Sequence, residues 1–217
     1  MSAGLQRRDV WAATGHQLRR PDGRAGWVLG HLMSHFNWKP YLAAIHDLDI
    51  RPDHHVLELG FGSGRGLKRV LTHLDGGMLT AVDHSPTMVA MARRKNAAAI
   101  RASRLDLREG PFSPLPFADQ SFDRILAVNV AYFFDRAGHD MRDCFRVLKG
   151  GGRLCLYVTE RATMEKWRFC EAETHRTFDR GEAVDLLTEA GFDRGAIEVL
   201  PVSLGFGIRG LVLTATR

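Results

Sequence analysis

The chain has 217 residues, 45% of them hydrophobic and 25% charged, a composition that excludes collagen-like, low-complexity and rod-like architectures. That length suits one domain with an extension and can bury a core without disulfides. No run of about 18 apolar residues is present to span a bilayer. The N-terminus lacks the apolar stretch of a secretory leader, so a cytoplasmic protein is expected.

Residues 27–33 and 41–45 read as helical segments broken near Asn37 to Pro40. From His54 onward strands and helices alternate. Val56-Leu57-Glu58-Leu59 is a short apolar run stopped by glycines, and residues 66–74 carry a helical pattern. Residues 79–83 form a second strand. Residues 86–95 form a helix with Ser85 suited to its N-cap. Further strands are expected over 103–109, 124–128 and 153–158, with a helix over 139–148 between the last two. Asp179 opens a helix running to Gly191, and two strands follow around 197–202 and 211–215. Such alternation predicts an α/β fold with a mostly parallel sheet and helices on both faces. Ligands in such sheets sit at the carboxyl ends of the strands.

Three cysteines, Cys144, Cys155 and Cys170, are widely spaced and form neither a metal-ligand set nor a disulfide framework. The net charge of +5 leaves 25 acids against 30 Lys and Arg. The arginines are scattered along the chain, so charge alone does not point to a nucleic-acid partner, and none is expected. No metal site is expected.

The first strand runs into Gly60-Phe61-Gly62-Ser63-Gly64, where bare Cα atoms permit tight turns and close approach of a ligand. The dinucleotide fingerprint needs a third glycine where Arg65 stands, and no P-loop lysine follows. Asp83 ends the second strand, where a carboxylate can accept hydrogen bonds from ribose hydroxyls. Glu58 lies inside a buried strand and requires a partner.

The segment from Val56 to Gly64 resembles the first motif of class I S-adenosylmethionine-dependent methyltransferases. Other segments follow in that family's order: Ala81-Val82-Asp83-His84-Ser85, Leu115-Pro116-Phe117 with Ser121-Phe122-Asp123, and Phe145 to Leu154, similar to an "RVLKPGG" turn. Ala190-Gly191-Phe192 completes the set. The resemblance covers roughly residues 53–217 and leaves 1–52 as an N-terminal helical extension or lid. It implies a Rossmann-like, seven-stranded sheet with the last strand antiparallel, and S-adenosylmethionine as the cofactor, converted to S-adenosylhomocysteine. By position, Glu58, Gly60, Phe61, Gly62, Gly64, Asp83, His84, Pro111, Phe112, Asn129 and Val130 would surround that cofactor. Gly110-Pro111-Phe112 departs from the family's "GDA", so the acid that usually meets the adenine amino group is missing.

The expected reaction is in-line transfer of a methyl group to a small-molecule acceptor, with positioning as the main catalytic device. The family's acceptor pocket corresponds to residues 26–41, 129–135 and 160–178. His35, Trp38, Tyr132, Phe133 and Trp167 are the candidates for touching substrate, and His35 and Tyr132 for handling a proton. Aromatic residues at such spacings also fill cores. The alternatives are an RNA or protein methyltransferase, or a non-catalytic relative that binds the cofactor. Asn129-Val130-Ala131-Tyr132 lacks the two prolines of the nucleic-acid base methyltransferase tetrad. A monomer or homodimer is expected.

Overall fold

Strand β1 (His55–Leu59) shows how alternation builds the layers. Leu57 and Leu59 join the apolar cluster on one face of the sheet, while Val56 belongs to the cluster on the other. The computed structural model describes residues 37–170 and 175–217, together with Thr14, Gly15, Gln17, Pro21, Asp22, Gly23 and Gly26. The expected helix over 27–33 and the candidate His35 lie outside the described residues.

The other strands are β2 (Met78–Asp83), β3 (Leu105–Glu109), β4 (Phe122–Val128), β5 (Leu148–Thr159), β6 (Ile197–Gly205) and β7 (Ile208–Thr216). Their order is β3-β2-β1-β4-β5-β7-β6. β1 pairs in parallel with β2 and with β4, and β7 runs antiparallel to both β5 and β6. The chain therefore leaves β1 toward one edge and returns through β4 toward the other. That reversal opens a crevice at the carboxyl ends of β1 and β4.

One face is covered by α1 (Trp38–Leu48), α2 (Leu67–Leu71) and α3 (Pro86–Lys95), whose buried residues share a cluster with Val56, Leu79, Ala81 and Leu126. The short α4 (Ala97–Arg101) follows α3 and was not anticipated from the sequence. The opposite face holds α5 (His139–Val147), α6 (Arg161–Met164) and α7 (Arg180–Thr188), packed on Leu57, Leu59, Ile125 and Leu156.

Several boundaries differ from expectation for local reasons. α1 begins at Trp38 with Asn37 at its N-cap, ahead of the expected start at Tyr41, because Pro40 falls in the first turn, where a missing N–H leaves no helix bond unmade. α1 ends at Asp49 in a left-handed conformation, and the Arg124 Nε donates to the carbonyls of Leu48 and Asp49 at 2.8 and 3.0 Å. A cation placed there offsets the negative end of the helix. α2 stops at Leu71 rather than Leu74, with Arg104 donating to the Leu71 and Leu74 carbonyls. α3 has the expected bounds, and the Ser85 hydroxyl accepts from the Met88 N–H at 3.2 Å. α7 begins with a capping box between Asp179 and Glu182. The three cysteines are free, and burial raises the thiols of Cys144 and Cys155 far above their usual range.

Candidate active site

The loop after β1 is fixed by what its glycines touch. Gly60, Gly62 and Gly64 all have positive φ, at 69°, 53° and 71°. A Cβ on Gly60 would lie 2.5 Å from Val130, and one on Gly64 would lie 2.5 Å from the Cβ of Ala92. Those two glycines let the loop press onto the end of β4 and onto α3. A Cβ on Gly62 would meet nothing within 4 Å, so this glycine faces open space.

Asp83 stands beside that space at the end of β2. Its carboxylate accepts the Gly62 N–H and the Ser85 N–H, each at 2.9 Å. Burial raises its pKa, and the backbone donors of Ser85 and Gly62 oppose that rise. The backbone of His84 opposes the rise as well, and of the roughly four lone-pair sites of a carboxylate at least one remains for a further donor. An open glycine next to a buried carboxylate with spare acceptor capacity fits a ribose diol bound at this edge.

Glu58 is turned the other way. Its side chain accepts a 2.6 Å hydrogen bond from the Tyr41 hydroxyl of α1, beneath the glycine loop. Burial pushes its carboxyl up to about 8; the Tyr41 hydrogen bond opposes this and the charge of Asp83 adds to it. The ring of Tyr41 lies against Gly66, where a Cβ would be only 2.2 Å from it. Trp38 stacks on Tyr41, and the Arg65 guanidinium lies 4.8 Å from the Trp38 ring centre.

At the end of β4, Asn129 has a φ of 54°, a left-handed conformation that asparagine tolerates better than most residues. Its amide nitrogen donates to the Asn37 side chain at 2.9 Å, and its oxygen accepts from the Tyr132 hydroxyl at 2.7 Å. The Thr159 N–H in turn donates to the Tyr132 oxygen. Tyr132 is thus engaged as donor and acceptor, and burial raises its pKa far above the usual phenol value. Beside it, Phe133, Phe169 and His175 form an aromatic group, with the Phe133 and His175 rings 5.1 Å apart. Trp167 stacks on Phe169 at 5.6 Å.

The residues singled out from the sequence therefore fall into three groups. Gly60, Phe61, Gly62, Gly64, Asp83, His84, Pro111, Phe112, Asn129 and Val130 follow or end strands β1 to β4 at one edge of the sheet. There, the Phe112 ring sits edge-on to His84 at 5.4 Å and also contacts Phe134, while Pro111 is exposed. Tyr132, Phe133 and Trp167 gather with Phe169 and His175 beyond Asn129, while Trp38 lies with Tyr41 and Arg65. Glu58 faces α1. Sequence reasoning missed the Tyr41–Glu58 bond, the Asn37–Asn129 bond and the Thr159 donor. The one available signal was Glu58 itself, a buried acid needing a partner.

Six parallel strands and an antiparallel β7 in this order, with a glycine loop after β1 and an acid closing β2, define a Rossmann-like nucleoside-binding sheet. A family model described as a methyltransferase domain matches residues 57–156. The ubiquinone/menaquinone biosynthesis C-methyltransferase of Geotalea daltonii is 29% identical over 122 residues, covering 55% of this chain and 51% of that protein. The chloroplastic 2-methyl-6-phytyl-1,4-hydroquinone methyltransferase 1 of Oryza sativa is 27% identical over 161 residues, covering 73% and 47%. The chain spans about half the length of these curated relatives. The Haemonchus contortus phosphoethanolamine N-methyltransferase 2, solved with S-adenosylhomocysteine, superposes with a TM-score of 0.69 at 14% identity, covering 83% of this chain and 52% of that one. Residues 57–156 are thus similar to a methyltransferase domain, set in a Rossmann-like sheet of the kind seen in the solved methyltransferase. Among the described residues no helix is long and apolar enough to cross a membrane.

Proposed function

We propose that this chain transfers a methyl group from S-adenosylmethionine to a small, planar or apolar acceptor. One observation carries the reading. The open edge at Gly62 and Asp83 and the aromatic group of Phe133, Trp167, Phe169 and His175 flank the same β4 terminus, at Asn129. The cofactor supplies an electrophilic methyl group on a sulfonium centre. In this reading Asp83 accepts from the ribose hydroxyls, and the bare backbone of Gly60 to Gly64 admits the amino-acid part. His84 and Phe112 border the base, and apolar packing there takes over from the absent family acid. Asn129 and Val130 lie beside the methionine part, with Glu58 supporting the loop from below through Tyr41. The N-terminal residues 1–52 are assigned as the acceptor-side cover, with Trp38 and His35 as its candidate contacts to substrate.

Positioning dominates such a displacement, since the nucleophile must lie in line with the leaving sulfur. An aromatic wall orients a planar acceptor through its ring faces. The relatives named for hydroquinone-type substrates support an aromatic acceptor of that kind.

Calorimetry with S-adenosylmethionine and S-adenosylhomocysteine tests the reading directly. Both should bind, and Asp83→Ala should weaken them by about 1–3 kcal/mol through loss of charge-assisted hydrogen bonds. No binding at millimolar ligand would overturn the proposal. Unchanged affinity in Asp83→Ala would remove the role given to that carboxylate.

A further inference from the structure

The charge excess has a location that the linear sequence conceals. Residues 65–69 and 93–104 together contain eight Lys or Arg and no Asp or Glu. The fold sets the two stretches side by side, with α2 on one side and the α3–α4 corner on the other. Between them runs a groove of about 390 Å³, lined by the cations Lys68, Lys95 and Arg104, by Asn96, and by Ala98 and Ala99.

Among the described residues no carboxylate pairs with any of these three cations. The Lys95 Nζ donates to the neutral Ser63 hydroxyl at 3.2 Å, and Arg104 donates to the carbonyls of Leu71 and Leu74. Partial burial holds the Lys95 amine below its usual value, and the charges of Arg65 and Lys68 press in the same direction. Like charges collected along a concave wall repel one another until an anion joins them, and the wall concentrates their field.

The composition of the groove narrows the anion. Ammonium groups act as compact point charges, suited to a tetrahedral dianion approached from two sides. Arg104 is tied to the backbone, as is Arg93, which donates to the Leu107 carbonyl at 3.1 Å. Of the three cations lining the groove, that leaves the two amines of Lys68 and Lys95 to meet a ligand at one spot. The alanines offer an apolar surface to a carbon skeleton attached to the anion. We propose that this groove binds one phosphate group, either as free phosphate or as the phosphate monoester of a small metabolite, apart from the methyl-transfer crevice.

The test is a titration of the full chain followed by amide NMR shifts at constant ionic strength. Its arms are sodium phosphate, glycerol 3-phosphate and a single-stranded RNA. Saturable shifts centred on Ser63, Lys68, Lys95 and Asn96 are expected with both small phosphates. Equal affinity for the two assigns the site to free phosphate, and tighter glycerol 3-phosphate assigns it to a monoester. The double variant Lys68→Gln with Lys95→Gln should weaken binding roughly tenfold or more. Ala98→Glu, which keeps both lysines but adds a carboxylate at the exposed rim, should weaken it as well, with the unperturbed remainder of each spectrum certifying the fold. Shifts that never saturate, affinity unchanged in both variants, or binding of RNA alone would overturn the proposal.

Discussion

Glu58 joins the stability of this protein to pH in a direction opposite to that of a surface carboxylate. Its native value of about 8 lies above the ordinary value of 4.5, so the folded state holds the proton more tightly than the unfolded chain. The stabilisation is complete below the unfolded value and is lost as pH rises through the native one. The slope from one such group is at most about 1.4 kcal/mol per pH unit. Urea unfolding should therefore show stability falling between pH 5 and 8, and Glu58→Gln should flatten that fall. A slope that survives in full in the variant places its origin elsewhere. Tyr132 and His35 separate at the same scale. With the Tyr132 hydroxyl already shared between Asn129 and Thr159, we assign it a positioning role. Tyr132→Phe should cost about 1–3 kcal/mol of stability by leaving buried groups unpaired. It should lower kcat far less than the roughly hundredfold or more expected for a general base, and without altering the pH–rate profile. His35→Gln should remove a limb of that profile if His35 takes the proton.

At the scale of elements, the junction between α1 and the glycine loop rests on Gly66. Gly66 has φ −69° and ψ −33°, which alanine can adopt, so the reduced entropy of the unfolded chain alone would favour alanine there by about 0.4–1 kcal/mol. Packing argues the reverse, since the added Cβ would fall 2.2 Å from the Tyr41 ring, and forced overpacking costs typically about 1–3 kcal/mol. Gly66→Ala should therefore lower the unfolding midpoint and perturb the near-ultraviolet signal of Tyr41 and Trp38. A stabilised variant would show that α1 can shift freely over the loop. Elements were legible where one local signal governed them. Pro86 after Ser85 marked the start of α3, and the apolar runs at 56–59 and 79–83 marked β1 and β2. They were illegible where a distant chain intervened. β5 extends back to Leu148 because the backbone of Gly151 and Gly152 pairs with Arg217, and nothing near residue 150 announces that partner.

For the whole molecule, the order of motifs along the chain was enough to place the glycine loop, Asp83 and Asn129 at one edge, because alternating strands and helices leave few topologies open. The bonds across that edge were not readable. Asn37 and Asn129 are 92 residues apart, and an asparagine in sequence carries no mark of the partner it will meet. The basic residues behaved likewise, scattered along the chain but gathered by α2 and α4. The strand order has a further consequence in time. β1 and β4 each pair on both sides, whereas β3 and β6 are the outer strands and β6 carries Pro201, which has no N–H to donate. Amide exchange should be fast at β3 and β6 and slowest at β1 and β4, whose amides open only when the whole molecule does. The crevice is thus mounted on the last part of the protein to come apart, and local breathing at the sheet margins leaves its floor in place.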